Sequence, residues 1–236
     1  GYPMGMMYGF IYEGTYKYED FDKVGDTYTL KRNVPYFSSE SNTQPGMPKY
    51  ADLNGDGIID DNDRTMIGNG MPKHTGGFTN NFEYKGFDLS IFFQWSYGND
   101  VLNANRLFFE NSNKTRDLNQ YASYADRWTP ENPESNIPRA TDSGSNKVFS
   151  TRIIEDGSFL RLKTVSLGYT LPKQLTKKWK IDNARVFVAG QNLWTCTGYS
   201  GYDPEVSIRE GALTPGLDFS AYPRAYSISF GINLGF

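Results

Sequence analysis

The last eleven residues alternate without a lapse. Tyr226, Ile228, Phe230, Ile232, Leu234 and Phe236 share one parity, and Ser227, Ser229, Gly231, Asn233 and Gly235 the other. A period of two is an extended strand with one apolar face and one small, polar face. Strands of soluble sandwiches alternate too, but their polar face more often carries charge and they rarely end a protein on an aromatic. A strand of a membrane barrel, which shows lipid only every second side chain, has this pattern.

The same pattern recurs upstream. Phe87, Leu89, Ile91, Phe93, Trp95 and Tyr97 face away from Asp88, Ser90, Gln94 and Ser96, with Phe92 the one intruder on the polar side. Phe78, Phe82 and Tyr84 precede them opposite Thr79, Asn81 and Glu83, and Lys85-Gly86 is a hairpin-sized junction. Further strands are expected at about Phe159 to Leu171 and Ala184 to Leu193, with Met6 to Tyr12 a weaker candidate. The fold class is therefore all-β. On the polar face, Ser229 and Gly231 are expected to accept other small polar residues.

The connections between these strands alternate between short and very long. Lys85-Gly86 and the segment from Pro172 to Asn183 are short; Glu13 to Pro72, Gly98 to Gly157 and Trp194 to Ala221 are long. Compact soluble domains connect elements by a median of about 4–6 residues. Outer-membrane barrels instead have short periplasmic turns and long extracellular loops. With the C-terminus in the periplasm, every long connection falls outside. About six strands are fewer than the roughly eight that close the smallest membrane barrel, so further strands are expected before Gly1.

Composition narrows the alternatives. Only 38% of the 236 residues are hydrophobic while 16% are aromatic, and no apolar run approaches the roughly 20 residues of a membrane helix. A net charge of −3 without clustered Lys and Arg argues against nucleic acid as a partner. The single cysteine, Cys196, cannot form an internal disulfide. The start at Gly1-Tyr2-Pro3 shows no signal-peptide pattern, so any targeting segment is expected outside this stretch.

The sharpest local motif is the segment Asp52 to Asp63, which follows the twelve-residue calcium-loop spacing. Asp52, Asn54, Asp56, the Ile58 carbonyl, Asp60 and Asp63 occupy the ligand slots, and Gly57 takes the sharp turn. Asp63 departs from the pattern, since a bidentate Glu is usual there. Hard oxygen donors favour Ca2+ over transition metals. The surrounding loop is short of aliphatic residues, so a structural cation is expected to order it. The competing reading is a solvated acidic turn.

Catalytic signals are thin. His74 is the only histidine and Cys196 is distant in sequence, so a Cys–His couple has no local support. Carboxylates such as Glu205 and Glu131 can be drawn as a glycosidase pair, but no spacing singles them out. Gly68-Asn69-Gly70 lacks the lysine and helix of a phosphate loop. The long loops do carry Tyr121, Tyr124, Trp128, Trp194, Tyr199 and Tyr202 among amides and carboxylates. Such platforms stack on sugar rings, and they also pack loops or form interfacial girdles, as Trp95 and Tyr97 are expected to do.

In order along the chain stand Pro45-Gly46-Met47-Pro48-Lys49-Tyr50, Asp52-Leu53-Asn54-Gly55-Asp56-Gly57-Ile58, Ile67-Gly68-Asn69, Phe78-Thr79-Asn80-Asn81-Phe82, Phe159-Leu160-Arg161-Leu162-Lys163, Leu167-Gly168-Tyr169-Thr170-Leu171-Pro172 and Gly190-Gln191-Asn192-Leu193. Together they resemble the SusC/RagA family of TonB-dependent outer-membrane transporters. The resemblance implies that residues 1–236 are the C-terminal part of a 22-stranded antiparallel barrel with a plugged lumen in the bacterial outer membrane. It also implies import of oligosaccharides or peptides, a SusD-like surface lipoprotein as lid, and TonB acting through a plug and TonB box that have no counterpart in this stretch. Trp128, Trp194 and Tyr202 are then candidate contacts for cargo or lid. Phe236 resembles the terminal aromatic by which such barrels are recognised for insertion.

Two other classes stand beside the transporter. A soluble, calcium-stabilised glycan-binding β-domain would explain the metal loop and the loop aromatics, but not the terminal Phe236 or the alternation of loop lengths. A polysaccharide hydrolase is the third.

Overall fold

A computed structural model describes residues 2–111, 119–141, 148–208 and 214–236. Among them, the longest runs of extended backbone are the segments that alternate. They are β1 (His74–Tyr84), β2 (Phe87–Tyr97), β3 (Phe159–Thr170), β4 (Asn183–Thr197) and β5 (Ser227–Gly235). They form one sheet in the order β5-β4-β3-β2-β1, every neighbouring pair antiparallel. Sequence neighbours are thus sheet neighbours, the up-and-down order that barrels use. The β1–β2 turn has both Lys85 and Gly86 at positive φ, 47° and 87°, the geometry whose twist matches a tight hairpin.

Register lines the side chains up in rows across the sheet. Phe82, Leu89, Leu167, Val188 and Phe230 stand side by side, and Tyr84, Phe87, Tyr169, Val186 and Ile232 form the next outward-facing row. On the opposite face Asn81, Ser90, Ser166, Ala189 and Ser229 make a small, polar row. The apolar rows are not a covered core: Phe230 is 81% exposed, and Phe82, Phe87 and Ile232 are also exposed. Apolar surface in water is unfavourable by about 25 cal/mol per Å2, so continuous rows of this kind mark a face that lipid or another protein covers. No described helix is long and apolar enough to cross a membrane.

The register shifts between Phe92 and Phe93 of β2, where β3 steps from Thr164 to Leu162 and leaves Lys163 unpaired. This bulge switches the parity of β3. Along β3, Leu160 and Leu162 share the apolar face before it, and Val165, Leu167 and Tyr169 after it. Arg161 therefore falls on the polar face, beside Gln94 and Thr195.

Two strand expectations need adjustment. Met6–Gly9 is extended, but it pairs with Thr65–Asn69 in a two-stranded sheet, so the long sheet holds five strands. Strand β4 runs to Thr197, which brings Trp194 out of the loop and into the sheet.

By contacts the chain divides into two units. One comprises Pro72–Asn99, Asp156–Val206 and Tyr222–Phe236, and holds the long sheet; the other comprises Gly1–Met71, Asp100–Glu155 and Ser207–Ala221. The second unit is built from short pieces such as Tyr12–Thr15 with Pro48–Tyr50 and Phe21–Val24 with Thr27–Leu30. Aromatic clusters fill it, Phe10 with Tyr50 and Ile59, and Tyr16 with Phe21 and Leu30. In a segment short of aliphatic residues, aromatic rings supply apolar volume for packing.

Candidate functional site

On the polar face of the long sheet, the outer end of β3 carries a charged cluster. The Arg161 guanidinium is buried, and its Nη2 donates to Asp203 Oδ1 at 2.5 Å. Asp203 also accepts the backbone N–H groups of Glu205 at 2.9 Å and Arg224 at 3.1 Å. Glu205 completes the group, with Arg224 Nη2 at 3.0 Å, Arg161 Nη1 at 3.4 Å and Lys163 Nζ at 3.6 Å. Burial by itself would raise the Asp203 pKa, but the Arg161 hydrogen bond and the two amides outweigh it and hold the carboxyl below its ordinary range. The cluster fastens the segment after β4 onto the polar face of the sheet.

The bulge at Lys163, not simple alternation, places Arg161 on this face, and the cluster closes through residues about forty positions apart, so sequence spacing does not reveal it. The same holds for Asp88 and Arg185, which meet on that face at the opposite end of the sheet. A signal is present in both cases. Arg161 and Arg185 are charged residues within strands whose other polar positions are mostly uncharged, and Gly168 lies between the partners of the second pair.

Of the expected contact residues, Tyr202 is exposed, at 82%. Trp128 is instead buried inside the loop unit, with Gly46 beneath its ring, Tyr18 at 5.6 Å and the Arg139 guanidinium 5.6 Å above it. Trp194 shares a row with Leu162, Phe93 and Phe78 on the apolar face, where an interfacial aromatic belongs. Tyr124 and Tyr199 are buried, and Tyr121 packs on Phe109. Phe236 is 86% exposed just beyond β5. Tyr121, Tyr124 and Trp128 belong to the loop unit, and Trp194, Tyr199 and Tyr202 to the unit that holds the long sheet.

His74, Cys196 and Glu205, all in the unit of the long sheet, do not assemble into a catalytic group. His74 stacks on Tyr97 at 5.1 Å, and its Nδ1 accepts the Trp95 indole N–H at 3.1 Å. Cys196 is exposed and pairs with Leu160 on the apolar face. Glu205 is committed to ion pairs, and Glu131 belongs to the loop unit.

The Asp52–Asp63 segment is ordered by its own amides. Asp52 accepts Gly55 N–H at 2.7 Å and Gly57 N–H at 2.8 Å; Asn54 Oδ1 and Asp56 Oδ1 each accept an amide two residues on. Asp60 caps Asn62, and Ile58 pairs in parallel with Tyr36. Asp63 is fully buried and accepts three amides, from Leu53, Asn54 and Asp60. Burial works to raise its pKa, and the three amides together lower it below the ordinary value. An ionised carboxylate offers about four lone-pair sites, so Asp52 and Asp63 keep capacity for a cation. No three acidic side chains are gathered into a metal cluster among the described residues.

With this geometry in view, comparison with known proteins is decisive. No family model matches the chain. The TonB-dependent receptor P3 of Formosa agariphila is 35% identical over 100% of this chain, which covers 22% of that receptor. This chain belongs to the SusC/RagA-type TonB-dependent receptors. TonB-dependent receptor P26 of the same organism is 39% identical over 81% of the chain and 20% of its own length. SusC of Bacteroides thetaiotaomicron is 28% identical over 84% of the chain and 18% of its own length. The solved RagAB peptide transporter superposes on all of the chain with a TM-score of 0.73 at 27% identity, and 23% of that transporter chain is covered. The stretch thus spans about a fifth of the length of these relatives. Like other TonB-dependent receptors it is a Gram-negative outer-membrane protein, and its five-stranded sheet is barrel wall.

Proposed function

We propose that the intact receptor imports nutrient oligosaccharides or peptides across the outer membrane, driven by TonB and capped by a SusD-like lipoprotein, and is not an enzyme. The observation that carries this reading is the antiparallel meander with exposed apolar rows on one face and a polar face opposite. All of residues 1–236 then belong to the C-terminal barrel and its loops, with the free edges of β1 and β5 pairing with strands outside this stretch. The polar face lines the lumen, and the loop unit contributes to the extracellular vestibule that receives cargo. Tyr202 is the expected aromatic that still offers exposed contact area there. The soluble-domain alternative is disfavoured by Phe230 and its row.

The test is uptake by cells grown on the cognate nutrient. Deleting the receptor and deleting TonB should abolish import alike. Undiminished import without TonB would overturn the proposal and leave a binding role.

We also propose that the Asp52–Asp63 segment takes Ca2+. Its support is the oxygen spacing and the lone pairs left free on Asp52 and Asp63. In the purified receptor, Ca2+ should slow proteolysis within this segment and a chelator should reverse the effect; equal cleavage with and without Ca2+ would reject it.

A further inference from the structure

We propose that the connection between β3 and β4 is a headgroup-binding anchor for anionic phospholipid at the periplasmic rim. This rests on the barrel reading, and it concerns the turn on the side opposite the long loops. Pro172–Asp182 reads Pro-Lys-Gln-Leu-Thr-Lys-Lys-Trp-Lys-Ile-Asp and folds as two short helical turns, Lys173–Thr176 and Lys177–Trp179. Thr176 is buried and fixes the turn, accepting at its carbonyl the Ile181 N–H, while Leu171 N–H bonds to the Ala184 carbonyl. Lys173, Lys177, Lys178 and Lys180 are all exposed, and none of them joins an ion pair among the described residues. Two apolar side chains are exposed among them, Leu175 at 52% and Trp179 at 68%.

Register places this turn at a defined depth. The last aromatic row of the sheet contains Tyr84, Phe87 and Tyr169, and the chain leaves β3 one residue beyond Tyr169. Aromatics of this kind sit at membrane interfaces, so the β3–β4 turn lies at headgroup level. There an exposed Trp and Leu reach the acyl boundary while lysine ammonium groups meet lipid phosphate. Lys85, in the neighbouring β1–β2 turn, extends the basic rim, with its Nζ 5.1 Å over the Tyr84 ring. Asp182 and Glu83 are the opposing carboxylates nearby in sequence, and Asp88 is already paired with Arg185, leaving five lysines against two acids outside that pair. The charge complements phosphatidylglycerol and not zwitterionic phosphatidylcholine.

The experiment uses the full-length receptor in detergent, titrated with phosphatidylglycerol or phosphatidylcholine and read by native mass spectrometry. Wild type should retain phosphatidylglycerol preferentially. The combined variant Lys173→Gln, Lys177→Gln, Lys178→Gln and Lys180→Gln should lose that preference by about tenfold or more. Trp179→Ala should weaken retention of both lipids while keeping the preference. Inorganic phosphate in excess should not displace the lipid if the anchor reads headgroup and acyl boundary together; full displacement would mean a free-phosphate site and overturn the proposal. So would an unchanged preference in the four-lysine variant. A variant that still migrates as a folded barrel in unheated SDS gels, yet shows no lipid effect, sinks the anchor alone; loss of barrel behaviour in wild type would sink the barrel reading.

Discussion

Arg185 of β4 reaches across Gly168 of β3 to hold Asp88 of β2. Its Nε donates to Oδ1 at 2.8 Å, and Nη2 bonds to Oδ2. A Cβ on Gly168 would collide with Arg185 Nη2 and stand 2.5 Å from Asp88 Oδ1, so the middle strand must be bare for its neighbours to pair. The Phe187 ring lies beneath the same guanidinium, 5.1 Å away. Three strands are thereby tied on the polar face, where hydrogen bonds between side chains supplement the backbone ladder.

Gly168→Ala should therefore displace the pair and lower the temperature at which the folded band disappears in SDS gels. In a background already carrying Arg185→Met the same change should do much less, because the two substitutions share one interaction. Additive losses would show that Gly168 matters for another reason.

Introducing Arg at Leu89 or Ile91, in the middle of the apolar rows, should cost about 2–4 kcal/mol in membrane insertion, while Ser229→Asn should be mild. Gly231 departs from the expectation drawn for the polar face. A Cβ there would collide with the Phe187 ring, so even Gly231→Ser should be harmful. Folding titrations of the refolded barrel give the order: Leu89→Arg worst, Gly231→Ser intermediate, Ser229→Asn close to wild type.

Most of the sheet is legible in the sequence because period-two alternation is a local pattern: parity alone puts Phe82, Leu89, Leu167 and Phe230 on an apolar face, while register, which the pattern does not give, sets them side by side. Phe187 and Phe92 break parity for a tertiary reason: their rings occupy space left by Gly231 and Gly77 on the adjacent strands. Trp128 escapes such reasoning because a loop aromatic looks the same in sequence whether it meets a ligand or packs on Gly46. The Arg161 cluster is hidden by the bulge at Lys163, which sets its face and leaves no mark in composition.

Asp203 has a pH dependence with a definite sign. Its folded pKa is depressed, so the ionised form stabilises the fold. That contribution is complete above the ordinary carboxylate value near about 4 and is lost as pH falls through the depressed folded value. Asp203→Asn removes the nearer of the buried Arg161's two counter-charges, leaving Glu205 at 3.4 Å, and should destabilise the fold by no more than the roughly 3–5 kcal/mol of a fully broken buried pair. Protease accessibility of residues 198–206 should rise at neutral pH in the variant, and in wild type only under strongly acidic conditions.

Asp63 should be the most sensitive acid of its loop. It is buried and holds three amides, whereas Asp61 is exposed and pairs only with Arg64 at 3.1 Å. Asp63→Ala orphans all three donors, so loop cleavage should accelerate even with Ca2+ present. Asp61→Ala should leave the cleavage rate near wild type, and equal effects would contradict the assignment.

Phe236 offers the last test, since it separates packing from recognition. Strand β5 ends at Gly235, whose carbonyl accepts the Asp182 N–H, and Phe236 lies beyond this closure with 86% of its surface exposed. Removing it takes away no ladder hydrogen bond and no contact with a buried core. If the residue served packing alone, its deletion would barely change stability or abundance. If it serves as the terminal aromatic that marks a barrel for insertion, deletion should reduce receptor in the outer membrane while synthesis stays unchanged. Pulse labelling followed by membrane fractionation distinguishes the two, and Phe236→Tyr should restore insertion where Phe236→Ala does not. Normal membrane levels in the deletion would show that the C-terminal aromatic plays no part in assembly.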